Sequence, residues 1–122
     1  MSKSKTKGTS FESDCAAYMR RRLGDDRIER RALNGVNDRG DIAGLSIRCK
    51  RLVVECKNHR RMELAEWLDE AEAERLNDDA EFKCVLHKRR GCGEKNFGKN
   101  YATMELDDLL AIIAGARGLL DD

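Results

Sequence analysis

The apolar positions of the chain fall in short runs whose period changes from one run to the next. Over residues 10–23, Phe11, Cys15, Tyr18, Met19 and Leu23 recur at helical spacing and stop at Gly24, which predicts a first helix closed by a glycine C-cap. Residues 27–33 read as a short strand, 34–40 as a loop and 41–47 as a second strand. Leu52-Val53-Val54-Glu55-Cys56-Lys57 is the clearest strand and is expected near the centre of a sheet. Leu64, Trp67, Leu68 and Ala71 then form a narrow apolar stripe on an acidic helix over 62–76. A strand over 82–87, a flexible Gly-rich basic loop over 89–100, a strand over 101–105 and a terminal helix over 106–115 complete the pattern. The order αβββαββα predicts an α/β fold, with α+β left open: a mixed sheet of about five strands flanked by helices.

Composition changes this picture little. Charged residues make up 39% of the chain and aromatic residues 5%, a balance that favours disorder when apolar residues are scattered, but here they are gathered into periodic runs. The 122 residues suffice for one domain over 8–122 behind a basic, flexible tail over 1–7, so recognition and any chemistry must share one core. No run approaches the ~18 apolar residues of a membrane span and the first eight residues carry no apolar leader, so a cytoplasmic protein without membrane contact is expected. Five cysteines without C-x-x-C spacing indicate neither a disulfide framework nor a ribbon-type zinc site.

Charge changes it more. The net charge is +1, yet segments 1–62, 63–81, 82–104 and 105–122 carry +8, −8, +5 and −4. Such a chain is expected to be bipolar, with a basic side that attracts phosphates and an acidic side turned away from them.

The candidate chemistry lies in Gly40-Asp41-Ile42-Ala43-Gly44 and, one hairpin later, Val53-Val54-Glu55-Cys56-Lys57. A strand alternates faces, so Glu55 and Lys57 project together while Val54 and Cys56 point the other way. Asp41 joins them only if the register is right. A three-residue turn, Arg48-Cys49-Lys50, pairs Asp41 with Lys57 on that face, whereas a two-residue turn separates them unless a bulge intervenes. Two carboxylates and an ammonium suit phosphodiester hydrolysis: the carboxylates hold Mg²⁺, with Mn²⁺ able to substitute, and Lys57 orients water or offsets charge on the phosphate. An acid-x-Lys triplet alone says little, because Glu81-Phe82-Lys83 repeats it; the preceding Gly-Asp-x-x-Gly and the apolar strand single out Glu55. Phosphate contacts are expected from Asn58, His59, Arg60 and Arg61 after that strand, and from Lys88, Arg89, Arg90, Lys95 and Lys99 around the glycine-rich loop. His59 is open to a second role as a general acid.

Asp41, then Glu55 and Lys57, resemble the active-site signature of the PD-(D/E)XK nuclease superfamily. The chain as a whole resembles its small archaeal-type Holliday junction resolvase branch, including phage-encoded relatives. Lys7-Gly8-Thr9-Ser10-Phe11-Glu12 is similar to the opening of that branch, although from the residues alone Glu12 reads as the closing member of a capping box with Thr9. Gly40 stands where the superfamily's name has proline, and the loop over 34–40 lacks the serine that resolvases often carry there. The resemblance implies a restriction-endonuclease-like core and a metal shell of Glu12, Asp41, Glu55 and the backbone carbonyl of Cys56, with Lys57 as the catalytic lysine. It further implies cleavage leaving a 5′-phosphate, and a homodimer acting on branched or double-stranded DNA, in a bacterial host's cytoplasm if phage-encoded.

The sequence thus points to a Mg²⁺-dependent, structure-selective endonuclease, most simply a junction resolvase, with flap, fork or nicking activity as variants of the same site. A DNA-binding protein that kept the fold without the chemistry, and an interaction protein built on the acidic helix, are the rival classes. The acidic helix and the terminal Leu109, Leu110, Ile112, Ile113 run read as core or as dimer surface.

Overall fold

The computed structural model describes residues 3–31 and 40–121, with side chains from Ser10 onward. The loop expected over 34–40, apart from Gly40, and the end of the strand expected over 27–33 lie outside the described residues. The architecture is α/β: a mixed open sheet of six strands with helices on both faces.

Helix α1 (Lys3–Leu23) ends where the apolar period ends, with Gly24 in the left-handed region at φ +61°. It starts earlier than Ser10, because the apolar stripe marks only the part that packs on the sheet. Strands β1 (Glu29–Arg30), β2 (Ile42–Ala43), β3 (Ser46–Ile47) and β4 (Lys50–Lys57) form an antiparallel meander. Helix α2 (Leu64–Asn77) then crosses over, so that β5 (Phe82–His87) lies parallel to β4, and β6 (Tyr101–Thr103) returns antiparallel before helix α3 (Leu106–Ala114). The sheet order is β1-β2-β4-β5-β6, with β3 pairing the outer part of β4. β4 is central, as its sequence predicts.

Two apolar clusters sandwich β4. Phe11, Cys15, Ile28, Ile42, Val54 and Cys56 pack between α1 and one face; Trp67, Ala71 and Val85 pack between α2 and the other. Strand alternation therefore sends Val54 and Cys56 towards α1, and Val53, Glu55 and Lys57 towards α2.

The hairpin register differs from expectation in an instructive way. The β3–β4 turn has two residues, not three: Ile47 pairs with Lys50, and Arg48 and Cys49 adopt φ of 53° and 68°, the left-handed pair of a type I′ turn. That register alone sets Asp41 against Cys56, on the wrong face. It does not persist. Leu52 N–H donates to the Leu45 carbonyl (3.0 Å), but Ile42 then pairs with Val54, so Ala43 and Gly44 together oppose Val53. This β-bulge shifts the register by one residue and gives Asp41 the parity of Glu55. Gly44 takes φ +89°, and a Cβ there would sit 2.5 Å from the Arg27 carbonyl oxygen, so both conformation and space require glycine.

The segment over 89–100 is not the flexible loop expected. It contains a 3-10 turn (Glu94–Lys99) whose Phe97 ring packs 6.0 Å from Phe11 and 5.0 Å from Tyr18 on α1, centroid to centroid. The terminal apolar run divides: Ala111 is buried, while Leu109, Leu110 and Ile113 are exposed.

Candidate functional site

Asp41, Glu55 and Lys57 converge on the α2 side of β4. Asp41 and Glu55 retain only 8% and 6% of their surface, a degree of burial that carboxylates reach only with compensating partners. Asp41 Oδ2 accepts from the backbone N–H of Cys56 at 2.7 Å. Lys57 Nζ donates to Glu70 Oε2 at 2.7 Å and lies 3.9 Å from Glu55 Oε1. Glu55 Oε2 is buried with no hydrogen-bond donor in reach among the described residues.

The residues that the sequence reading missed are on the acidic helix. Its stripe does not end at Ala71: the next position at helical spacing is Glu74, 4% exposed, and Glu70 stands one turn before it. Ligand oxygens of Glu55, Glu70 and Glu74 lie within 4.8 Å of one another. The readable signal was an i, i+4 acid pair continuing an apolar stripe, where a solvated acid has no reason to be. The acidic segment is accordingly not on a side of the molecule away from the basic one. It covers the sheet face that carries Lys57.

Burial raises the Asp41 carboxyl to about 9, helped by the adjoining Glu55 carboxyl and partly opposed by the Cys56 N–H. Glu55 is likewise pushed up to about 9, first by burial and then by Glu74, against the lowering effects of Asp41 and Lys57. Glu55 thus stands between two carboxyl neighbours, and without a cation Asp41 and Glu55 keep their protons at neutral pH. Burial alone lowers the Lys57 ammonium, but Glu70, Glu55 and Asp41 outweigh it and hold it above the ordinary lysine value. Lys57 is therefore a charged donor and not a base. The converging ligand atoms are carboxylate oxygens, the type that hard divalent cations take, and one Glu55 oxygen is buried without a partner among the described residues, so a divalent cation fits these residues.

Glu12 lies inside α1, so the capping-box reading fails: the position is nine residues past the helix start. Its carboxylate accepts from Arg30 Nε at 3.0 Å, although its charge is felt at Asp41. Cys56 turns its thiol to the α1 face beside Cys15, leaving its backbone at the site.

Because β4 and β5 are parallel, the basic segments that follow them emerge at one edge, tied by the Lys88 N–H bonded to the Lys57 carbonyl at 3.1 Å. His59, Arg60, Arg61, Arg89 and Arg90 are exposed there, with Asn58 partly covered. Lys88 turns inward, bonded to the Cys92 carbonyl and standing 5.9 Å over the Phe97 ring. Lys95 and Lys99 are exposed on the 3-10 turn that Phe97 anchors. The carboxyl ends of parallel strands are where open α/β sheets bind ligands. Among the described residues, no helix is long and apolar enough to cross a membrane. Compared with protein-family models, with curated proteins and with solved structures, the chain matches none.

Proposed function

We propose that the protein is a Mg²⁺-dependent DNA endonuclease of the PD-(D/E)XK type, with a restriction-endonuclease-like core and a preference for branched DNA such as a four-way junction. The observation that carries this reading is the bulge at Ala43–Gly44, which brings Asp41 to the face of Glu55 and Lys57 beside an edge lined with arginine. Two carboxyls buried beside a lysine by a glycine-dependent bulge are costly for folding and useful for binding a cation.

In this reading Asp41, Glu55, Glu70 and Glu74 hold the cation, with the Cys56 backbone carbonyl as a further donor. When bound, Mg²⁺ polarises the scissile phosphate and lowers the pKa of a coordinated water. Lys57, permanently charged, hydrogen-bonds the attacking water or a phosphate oxygen and offsets the charge that builds on phosphorus. Glu70 holds Lys57 in its resting position at 2.7 Å and releases it as the phosphate arrives. Arg60, Arg61, Arg89 and Arg90 bind flanking phosphates, with Asn58, His59, Lys95 and Lys99 around them. Glu12 joins the metal shell only by leaving Arg30. A homodimer completes the reading, and the exposed Leu106, Leu109 and Ile113 of α3 offer apolar surface for it.

The test is incubation with labelled four-way junction, flap and linear duplex DNA in Mg²⁺ or Mn²⁺, alongside Glu55→Ala. Paired symmetric incisions in the junction, absent in the variant, are expected. Cutting of flaps alone keeps the site and changes the substrate, whereas binding without incision in either metal overturns the enzyme.

A further inference from the structure

Beside Lys57 the edge of the sheet opens into a cavity of about 340 Å³, in the size range of small-ligand clefts. Two kinds of side chain line it. One is a continuous aromatic row: the His59 and Trp67 rings lie 5.6 Å apart, Trp67 and His87 5.6 Å, and His87 and Tyr101 5.2 Å, all mutually tilted. The other is basic: Lys57, Arg60, Arg89 and Arg90 stand round the same space, with the Arg89 guanidinium 5.8 Å over the Tyr101 ring.

The inner part of the row is fixed. Trp67 is 4% exposed in the α2 cluster, and His87 is equally buried, its Nε2 2.7 Å from Thr103 Oγ1. The outer end is open, with Tyr101 at 43% exposure and Met62 at 58% on the rim. Packing does not account for an exposed aromatic ring and a ring of arginines around a cavity, because cations crowded together repel unless an anion joins them. Planar faces with phosphate-binding cations are what a single nucleotide requires: a ring for the base and guanidinium groups for the phosphate.

We propose that this cavity receives one unpaired nucleotide of the DNA strand, its base stacked on Tyr101 and its phosphate among Arg60, Arg89 and Arg90. A base inside a duplex is stacked on both faces and paired on one edge, and it cannot reach such a cavity without leaving the helix. The site therefore selects DNA with an unpaired nucleotide, as at a fork or flap, or with a pair that opens readily, as at the centre of a junction. Lys57 borders both the cavity and Glu55, so the captured nucleotide is next to the phosphate presented to the carboxyl cluster. This inference rests on the nuclease reading for its purpose, but its test needs no cleavage.

Trp67 is the only tryptophan of the chain, so its fluorescence reports on the cavity. Titrating the metal-free protein in EDTA with a single-stranded oligodeoxynucleotide of about ten residues is expected to change that fluorescence saturably, at least about tenfold more tightly than a duplex of the same length. Tyr101→Ala should weaken single-strand binding by about fivefold to a hundredfold, the effect of losing one stacking platform, and leave duplex binding unchanged. Tyr101→Phe should restore it, since the ring and not the hydroxyl is used. Equal affinity for single strand and duplex, or binding indifferent to Tyr101→Ala, overturns the cavity and leaves the nuclease reading intact. Absence of binding to any DNA overturns both.

Discussion

Glu55-Cys56-Lys57 and Glu81-Phe82-Lys83 are the same pattern on neighbouring parallel strands, and they differ in how their charges are satisfied. Lys83, 2% exposed, donates to both oxygens of Asp108 at 2.9 and 2.8 Å and has Glu105 at 2.8 Å and Glu72 at 3.2 Å. Asp108, fully buried, also receives Arg117 at 2.5 Å, and Arg75 neutralises Glu72. Glu81 serves the same lock by accepting the Arg117 N–H at 2.9 Å. Three cations and a backbone N–H balance four acids there, and the network ties β5 to α3.

Around Lys57 they do not balance. Asp41, Glu55 and Glu70 crowd one ammonium, Glu74 adjoins Glu55, and a buried Glu55 oxygen has no donor among the described residues. In the proposed reading, the cluster left unsatisfied until something positive arrives is where the cation binds, and the cluster already closed on itself is a joint.

The largest effect expected from this contrast is on cleavage: Lys57→Ala should cost at least about a thousandfold in single-turnover cutting while leaving the urea midpoint little changed, as for loss of a charge-stabilising group. Lys83→Met should do the reverse, losing about 3 kcal/mol in urea unfolding because Asp108, fully buried, keeps only the Arg117 guanidinium and the Glu105 N–H. Gly44→Ala tests how the contrast is built. The bulge cannot persist with a Cβ against the Arg27 carbonyl, so stability should fall by about 2 kcal/mol and cutting should fall with it, Asp41 having lost its register.

A smaller effect concerns pH. Asp41 and Glu55 titrate near 9 when folded and near 4 when unfolded, so they are protonated in the folded state where the unfolded chain has lost its protons. Their contribution to stability is full below about pH 4 and is lost progressively as pH rises towards 9. Metal-free melting curves should therefore fall over that window. Glu55→Gln should flatten them, and Mg²⁺ should flatten them for the wild type but not for the variant. Least of all, Glu70→Gln should leave the melting temperature unchanged, since the Glu70 side chain is 44% exposed, and weaken Mg²⁺ dependence by a few-fold.

Much of the fold was legible because burial writes itself into periodicity: α1 stops at Gly24, β4 is the apolar strand and α2 follows Trp67 and Ala71. The two-residue turn was not legible, since Arg48 and Cys49 are not the Asn-Gly type that announces left-handed φ, and the compensating bulge is set by the close approach of Gly44 to Arg27. Phe97 was hidden for a related reason: one aromatic in a glycine-rich basic segment has no period, yet it is what fastens that segment to α1. Of the candidate site, Glu55 and Lys57 were readable from strand alternation, while Asp41 was left to a register that the sequence did not decide. Glu70 and Glu74 were harder to read, because in a helix rich in acids only their i, i+4 spacing beyond Ala71 sets apart the pair that converges on Glu55.

The comparison reduces to its two glutamates, and the decisive measurement is junction cleavage in Mg²⁺ by Glu55→Gln and Glu81→Gln side by side, each matched to wild type for folded fraction. Cutting abolished in the first and retained in the second is the predicted result. Equal cutting by both variants, or equal loss in both, would contradict the assignment of the chemistry to the β4 triplet.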